Sequence, residues 1–411
     1  MKARRLSHVA DVSVSTVDKH TVEGEVPIRL CNYVDVYKNN EIVDGLDFMT
    51  ATATPDEIRR FSIAPGDTLF TKDSETADDI GVPAYVQTSS PLVCGYHVAI
   101  ARPREGVVHP RYLYWSLVSS AAAQQWRVLA SGVTRVGLRH SDIGKLSIWT
   151  PPFQEQRVIA DFLDRETAKI DALIAKQDAL LAALDEHRAA AISSAAPKSL
   201  AALGWPLDKL GRRTRIGNGS TPSRENLDYW EGGVTPWMNS SVVNQASAKE
   251  PSALVTDLAM AQCHLPLVKA GSLLVGLTGQ GKTRGMATLT ELNTTINQHL
   301  AFVEPSERHW VPRFLLWQLR ASYGELRRVS DENGSTKGGL TCGDLASLKV
   351  AMLPLQLQTS IADKIDRETA GIDAVVGKVG ALTGRLRERR AALITAAVTG
   401  TLDVTTYGKA G

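Results

Sequence analysis

The sequence predicts an α+β protein written twice, two globular α/β parts each followed by one long helix, with an internal pseudo-two-fold repeat. Three observations carry that reading. First, "PFQEQRVIADFLDRETAKIDALI" from Pro152 returns as "PLQLQTSIADKIDRETAGIDAVV" from Pro354. At a shift of about 202 residues, roughly 24 of the 44 positions from Pro152 to Ala195 are identical. Second, both copies keep a 3-4 apolar spacing over several heptads without proline, longer than one core helix needs. Third, the intervening segments are rich in Gly, Pro, Ser and Thr and carry short β-like runs.

In chain order, the first globular part opens with "SVSTVDKHTVEGEVP", runs through strands at "GDTLFT" and "GYHVAIA", and reaches a short helix at "PRYLYWSLVSSAAAQQWRVLA" from Pro110. Pro151-Pro152 marks the start of the first long helix, since proline suits the first helical turn. With Leu163 at position a, its seam reads Ile159, Leu163, Glu166, Ile170, Leu173, Gln177, Leu180, Leu184. About forty residues at 1.5 Å rise make a rod of roughly 60 Å. "SSAAPKSLAALGWP" from Ser193 reads as the linker to the second copy.

The second copy repeats this order. Strands are expected at "SLLVGL" and "HLAFV", and a short helix at "PRFLLWQLRASYGELRRV". The seam continues as Ile361, Ile365, Glu368, Ile372, Val375, Val379, Leu382, Leu386, Leu393. The two rods are natural partners. Opposite the expected seam runs a row of small residues: Ala168, Ala175 and Ala182 in the first helix, Ala370, Gly377 and Gly384 in the second. Small residues let another helix approach closely, whereas a mid-helix glycine otherwise only costs about 1 kcal/mol. These six are candidates for partner docking, once per repeat.

Composition narrows the function. The 411 residues are 43% apolar and 22% charged with net charge +2, an ordinary globular balance. Four scattered cysteines, Cys31, Cys94, Cys263 and Cys342, offer neither a disulfide framework nor a zinc pattern. No apolar run spans a membrane and the start lacks an apolar signal core, so a cytoplasmic location is expected.

The positive charge is localised. From Tyr96 to Lys145, seven cations (Arg102, Arg104, Arg111, Arg127, Arg135, Arg139, Lys145) face only Glu105 and Asp142. Such charge suits DNA phosphates, and the loops "TKDSET", "GVTRVGLRH", "TGQGKTRG" and "GSTKGGL" suit base edges. The DNA-binding candidates on these segments are Lys72, Ser74, Arg135, Arg139, His140, Lys282, Arg284, Thr336 and Lys337.

"GLTGQGKT" from Gly276 fills the nucleotide pattern G-x-x-x-x-G-K-[ST], which makes a P-loop ATPase with a coiled-coil arm the competing reading. A phosphate cradle needs a helix after the loop. Thr283 instead leads into "RGMATLTELNTTI", a turn and then a second strand, so the loop is expected to be a positively charged hairpin tip.

Together these features resemble the specificity subunit of type I restriction-modification systems. The resemblance rests on Asp164-Arg165-Glu166-Thr167 with Ile170-Asp171, on the repeat Asp366-Arg367-Glu368-Thr369 with Ile372-Asp373, on "GSTPSRENLDYWEGGVTPW" from Gly219, and on Gly334-Ser335-Thr336 with Gly339-Leu340. It implies two target recognition domains, residues 1–150 and 198–352, each reading half of a split DNA sequence. It makes residues 151–197 and 353–400 helical spacers forming an antiparallel coiled coil, and leaves 401–411 as a C-terminal tail. The implied partners are double-stranded DNA, two methyltransferase (M) subunits and, where present, restriction (R) subunits. The implied chain has no catalytic residue, metal or cofactor of its own; S-adenosylmethionine and ATP with magnesium belong to the partners. The first copy lacks the "GSTPS" opening, so an asymmetric target is expected.

Overall fold

The computed structural model describes residues 3–132, 134–279, 281–332 and 339–407. The chain folds as two units, one formed by Met1–Asp178 with Gly380–Gly411 and the other by Ala179–Val379. Each unit holds one globular part and portions of both long helices.

In the first unit a five-stranded sheet runs in the spatial order Ala10–Val14, Val98–Pro103, Thr68–Thr71, Pro83–Val86, Glu41–Ile42. Its first three contacts are antiparallel and the last is parallel. The second unit repeats this with Thr214–Asn218, Leu300–Pro305, Leu273–Gly276, Ala287–Thr290 and Ser247–Ala248, in the same order and directions. A three-stranded sheet is duplicated too: Met49–Ala53, Val26–Cys31, Val93–Cys94 in one unit, and Ala253–Val255, Thr235–Met238, Thr295–Ile296 in the other. A two-stranded ribbon pairs Ala3–Arg5 with Ser147–Trp149, as Leu207–Lys209 pairs with Lys349–Ala351. The repeat therefore extends through the parts whose sequences have drifted apart.

Burial explains why topology outlasts sequence here. Successive side chains of a strand face opposite sides. In the first unit Phe70, Ala99 and Ala101 enter a core shared with the helix Pro110–Val118 and the long helices. Leu69, Val98 and Ile100 enter a second core beneath the three-stranded sheet. The other unit splits Leu273, Val275, Ala301 and Val303 from Leu274, Leu300 and Phe302 in the same way. A sheet covered on both faces demands continuous apolar strands, and any apolar side chain of fitting volume meets that demand.

The motifs that survived best are mutual partners. Asp164 Oδ1 accepts hydrogen bonds from Arg111 Nε at 2.8 Å and Trp115 Nε1 at 2.7 Å. In the second unit Asp366 takes Trp317 Nε1 at 2.7 Å and pairs with Arg313, which also reaches Asp363 at 2.7 Å. Gln156 closes the helix start: its Oε1 accepts from His109 N at 2.8 Å and its Nε2 donates to Pro151 O at 2.9 Å. Gln358 does the same with Val311 N and Leu353 O, both at 2.8 Å. The "PRxLxW" helix and the "DRET" segment are thus two sides of one joint, made once per repeat.

The long helices are Phe153–Ser193, of 41 residues, and Leu355–Val398, of 44. Within each unit their portions run antiparallel. In the first, Phe162 packs edge-on against Tyr407 at 5.0 Å while Asp171, further along, pairs with Arg390 at 2.8 Å. In the second, Arg188 pairs with Asp373, while Ile192, Ala195, Ala362 and Ile365 belong to one apolar cluster. The two ion pairs are copies of each other under the repeat.

The seam differs from the expected one by one residue on one side. Leu163, Ile170, Gln177 and Leu184 face inward, but their companions are Ala160, Thr167, Ile174, Leu181 and Arg188. Leu173, Leu180, Val375 and Leu382, expected inside, are 46%, 41%, 40% and 41% exposed. Ala160 and Thr167 are buried, and the buried threonines return their hydroxyls to the preceding turn, Thr167 to Leu163 O at 2.6 Å and Thr369 to Ile365 O at 2.7 Å.

The small-residue row stays outside. Ala168, Ala175, Ala182, Ala370 and Gly377 are exposed and Gly384 is half-buried. A Cβ built on Gly377 or Gly384 meets nothing within 4 Å. The expected linker is not slack: Pro197–Ala202 is helical, and Ala195 and Leu200 are buried in the second unit's core. Leu402, Val404 and Tyr407 likewise pack on the first unit's core. Among the described residues no helix is long and apolar enough to cross a membrane.

Candidate nucleic-acid interface

The loop 277–286 joins the antiparallel strands Leu273–Gly276 and Ala287–Thr290, so the glycine-rich stretch is a hairpin tip. A strand, not a helix, comes after it, and the helix N-terminus that a phosphate cradle requires is missing from this position. The first unit has the matching hairpin, Thr68–Thr71 to Pro83–Val86.

Around each tip three loops are stitched together by the same bonds. In the first unit Lys72 N donates to His97 O at 2.9 Å, and Leu138 N donates to Lys72 O at 2.8 Å. In the second, Leu277 N donates to His299 O at 2.9 Å and Leu340 N to Leu277 O at 2.8 Å. Asp73–Ser74 also pairs with Val136–Gly137, which brings "TKDSET" and "GVTRVGLRH" side by side. Lys72, Ser74 and Arg135 therefore share one site.

The chemistry on this common frame differs. In the first unit Asp73 Oδ2 lies 2.5 Å from Lys72 Nζ and 2.6 Å from His97 Nδ1. Burial pushes the Asp73 carboxyl up, but the bonds from Lys72 and His97 overcome it and hold the group below its ordinary range. Lys72 Nζ sits 4.9 Å from the Tyr96 ring centre, and Tyr96 is exposed. Tyr33 stacks on Tyr37 at 5.6 Å; burial first, against a Ser74 hydrogen bond, raises its phenol above the ordinary value. In the second unit His299 Nδ1 meets Thr278 Oγ1 at 2.8 Å, and no acid stands at that point. Arg224 lies over Trp230 at 3.8 Å, an arginine–indole stack near the unit's surface.

The other candidates fall in distinct places. Lys72 is only 11% exposed and is committed to Asp73. Ser74 is buried. Arg139 and His140 are exposed at the start of the short helix His140–Ile143. Lys282 is exposed at the second tip, but Arg284 is buried and pairs with Asp331 at 2.5 Å, so it braces the hairpin from behind. Thr336 and Lys337 lie outside the described residues.

The basic stretch is largely spent inside the fold. Arg102 binds Asp67 at 2.6 Å, Arg104 binds Asp11 at 2.8 Å, Arg111 binds Glu41 at 2.7 Å besides Asp164, Arg127 binds Asp78, and Lys145 binds Asp142 at 2.6 Å. Of the seven cations, Arg135 and Arg139 make no ion pair among the described residues. Sequence counting saw the charge but not its partners, most of which lie outside the stretch counted. It also passed over His97 and His299, although "GYHVAIA" and "NQHLAFV" place them at equivalent positions.

Two sheets and one hairpin tip, made twice on a shared pair of helices, define a duplicated α+β protein. The family described as "Type I restriction modification DNA specificity domain" matches residues 32–182 and again 209–375, and the chain belongs to it. Among curated proteins it is similar to the type I restriction enzyme EcoR124I/EcoR124II specificity subunit of Escherichia coli, 20% identical over 159 residues. That match takes in 38% of this chain and spans about two-fifths of that relative's length (39%). Among solved structures, one from a study of complex assembly and conformational transition of the type I R-M system superposes with TM-score 0.75 at 17% identity, covering 98% of both chains. The HsdS subunit from Thermoanaerobacter tengcongensis superposes with TM-score 0.56 at 18% identity, over 98% of this chain and 97% of that one. At these identities the likeness speaks for the fold.

Proposed function

We propose that this chain is the DNA-specificity subunit of a type I restriction-modification complex, each recognition domain reading one half of a bipartite, asymmetric target. The observation that carries the reading is the duplicated hairpin frame dressed with different side chains, Lys72, Asp73 and Tyr96 in one unit against Leu277, Thr278 and Gln298 in the other. A common scaffold with unlike tips is what two readers of different base sequences need.

On this reading the paired helices set the spacing between the half-sites and dock two methyltransferase subunits on their small-residue faces. The openness around Gly377 and Gly384 supports the docking role. Restriction subunits join where present. The chain itself performs no catalysis; S-adenosylmethionine and ATP with magnesium are held by the partners, and the complex works in the cytoplasm.

The test is to map adenine methylation in DNA exposed to this chain and its methyltransferase. A split, asymmetric motif with a fixed unread gap is expected. A contiguous or palindromic motif contradicts the reading.

A further inference from the structure

We infer that His97 and His299 are a duplicated pair of positioning residues that hold the two hairpin tips in DNA-reading geometry. The inference rests on the specificity reading above and goes beyond it by naming what fixes the readers.

Each histidine occupies the third position of a four-residue turn, closed by Val98 N to Gly95 O and by Leu300 N to Asn297 O, both at 3.3 Å. Each offers its backbone oxygen to the first residue beyond the rising strand, and its ring Nδ1 to the side chain of the next, Asp73 or Thr278. One residue thus grips the tip twice.

Ring Nδ1 takes the same role in both units. An ionised Asp73 only accepts, so Nδ1 of His97 carries the proton. In the second unit Thr221 donates its hydroxyl to Gln298 Oε1 at 2.5 Å, which orients that amide so that its Nε2 donates to His299 Nε2 at 3.3 Å. Nδ1 of His299 is then again the donor, toward Thr278. A relay from Thr221, inside the "GSTPS" signature, runs through Gln298 and His299 to the fingertip. The first unit lacks that signature and replaces the relay with Lys72 and Tyr96.

Burial does not account for these rings, although His97 packs edge-on against the exposed Tyr96 at 4.2 Å. The His97 side chain is 28% exposed, and His299 is exposed. His97 moreover sits at φ 72°, a conformation that glycine takes without strain and that histidine adopts uncommonly. Strain kept at this half-buried position points to a task for the side chain.

His97→Gly separates the task from the fold, because glycine suits that backbone while the ring is lost. In the full chain assembled with its methyltransferase, binding is measured on duplexes carrying the whole target or one randomised half. His97→Gly is expected to lower preference for one half-site about tenfold or more, to leave the other half-site and the salt dependence unchanged, and to keep a cooperative thermal transition, its midpoint lowered by no more than Asp73→Asn lowers it. His299→Ala is expected to act on the other half alone, and His299→Asn, which restores a donor near the Nδ1 position, to recover it. Unchanged half-site preference in both variants overturns the inference, as does a drop of about one in the salt slope, which would mark a direct phosphate contact. A wild-type complex with no half-site preference sinks the specificity reading itself, an outcome distinct from either.

Discussion

At the scale of single residues, the joint carboxylates matter most for stability. Asp164→Ala leaves Trp115 Nε1 without its acceptor and takes one of two carboxylates from Arg111, which keeps Glu41; Asp366→Ala does the same to Trp317 Nε1 and to Arg313, which keeps Asp363. Each substitution is expected to cost about 1–3 kcal/mol, the usual cost of stranding a buried donor, read as a shift in urea midpoint. Asp73 adds a pH signature. Its carboxyl is held below the ordinary range in the fold, so its contribution is present above about pH 4, the unfolded value, and is lost as pH falls through the lower folded value. The thermal-midpoint difference between wild type and Asp73→Asn should therefore be full at neutral pH and vanish in strong acid. A difference that persists there contradicts the assignment. The sequence showed Asp164 and Asp366 as repeated letters, but no spacing rule says that an aspartate will find an indole about fifty positions upstream.

Among elements, the long helices were the most legible. Their period, length and proline starts are local properties, written in consecutive residues. The seam's phase was not, because it depends on what each turn packs against: Ala160 and Thr167 are buried while the larger Leu173 and Leu180 are exposed. That correction is measurable. Leu173→Gln and Leu180→Gln are expected to change stability by no more than about 0.5 kcal/mol each, whereas Ile170→Ala should cost about 2–4 kcal/mol. Denaturant unfolding decides, and equal costs at both kinds of position would restore the original phase. Ala175→Leu together with Gly377→Leu should leave folding intact and abolish co-purification with the methyltransferase; retained assembly removes the docking role. The hairpin tips were legible as turns, but which loops they meet was not, since hydrogen bonds such as Leu138 N to Lys72 O join residues far apart in sequence.

For the whole molecule, the duplication is the organising fact, and it holds in strand order even where letters no longer match. Two units that conserve a frame and vary its tips support the proposed reading of two unlike half-sites, with chemistry brought by partners. The nucleotide alternative makes the opposite demand: purified chain should turn over ATP through Lys282. The geometry around the tip predicts none, and a strand where a cradle helix is required is the reason. The central claim is tested most directly by inserting one heptad into each long helix, which preserves the seam, and mapping methylation again. Seven residues lengthen a helix by about 10 Å, so the unread gap should grow by roughly three base pairs while both half-sites stay the same. An unchanged gap contradicts the account.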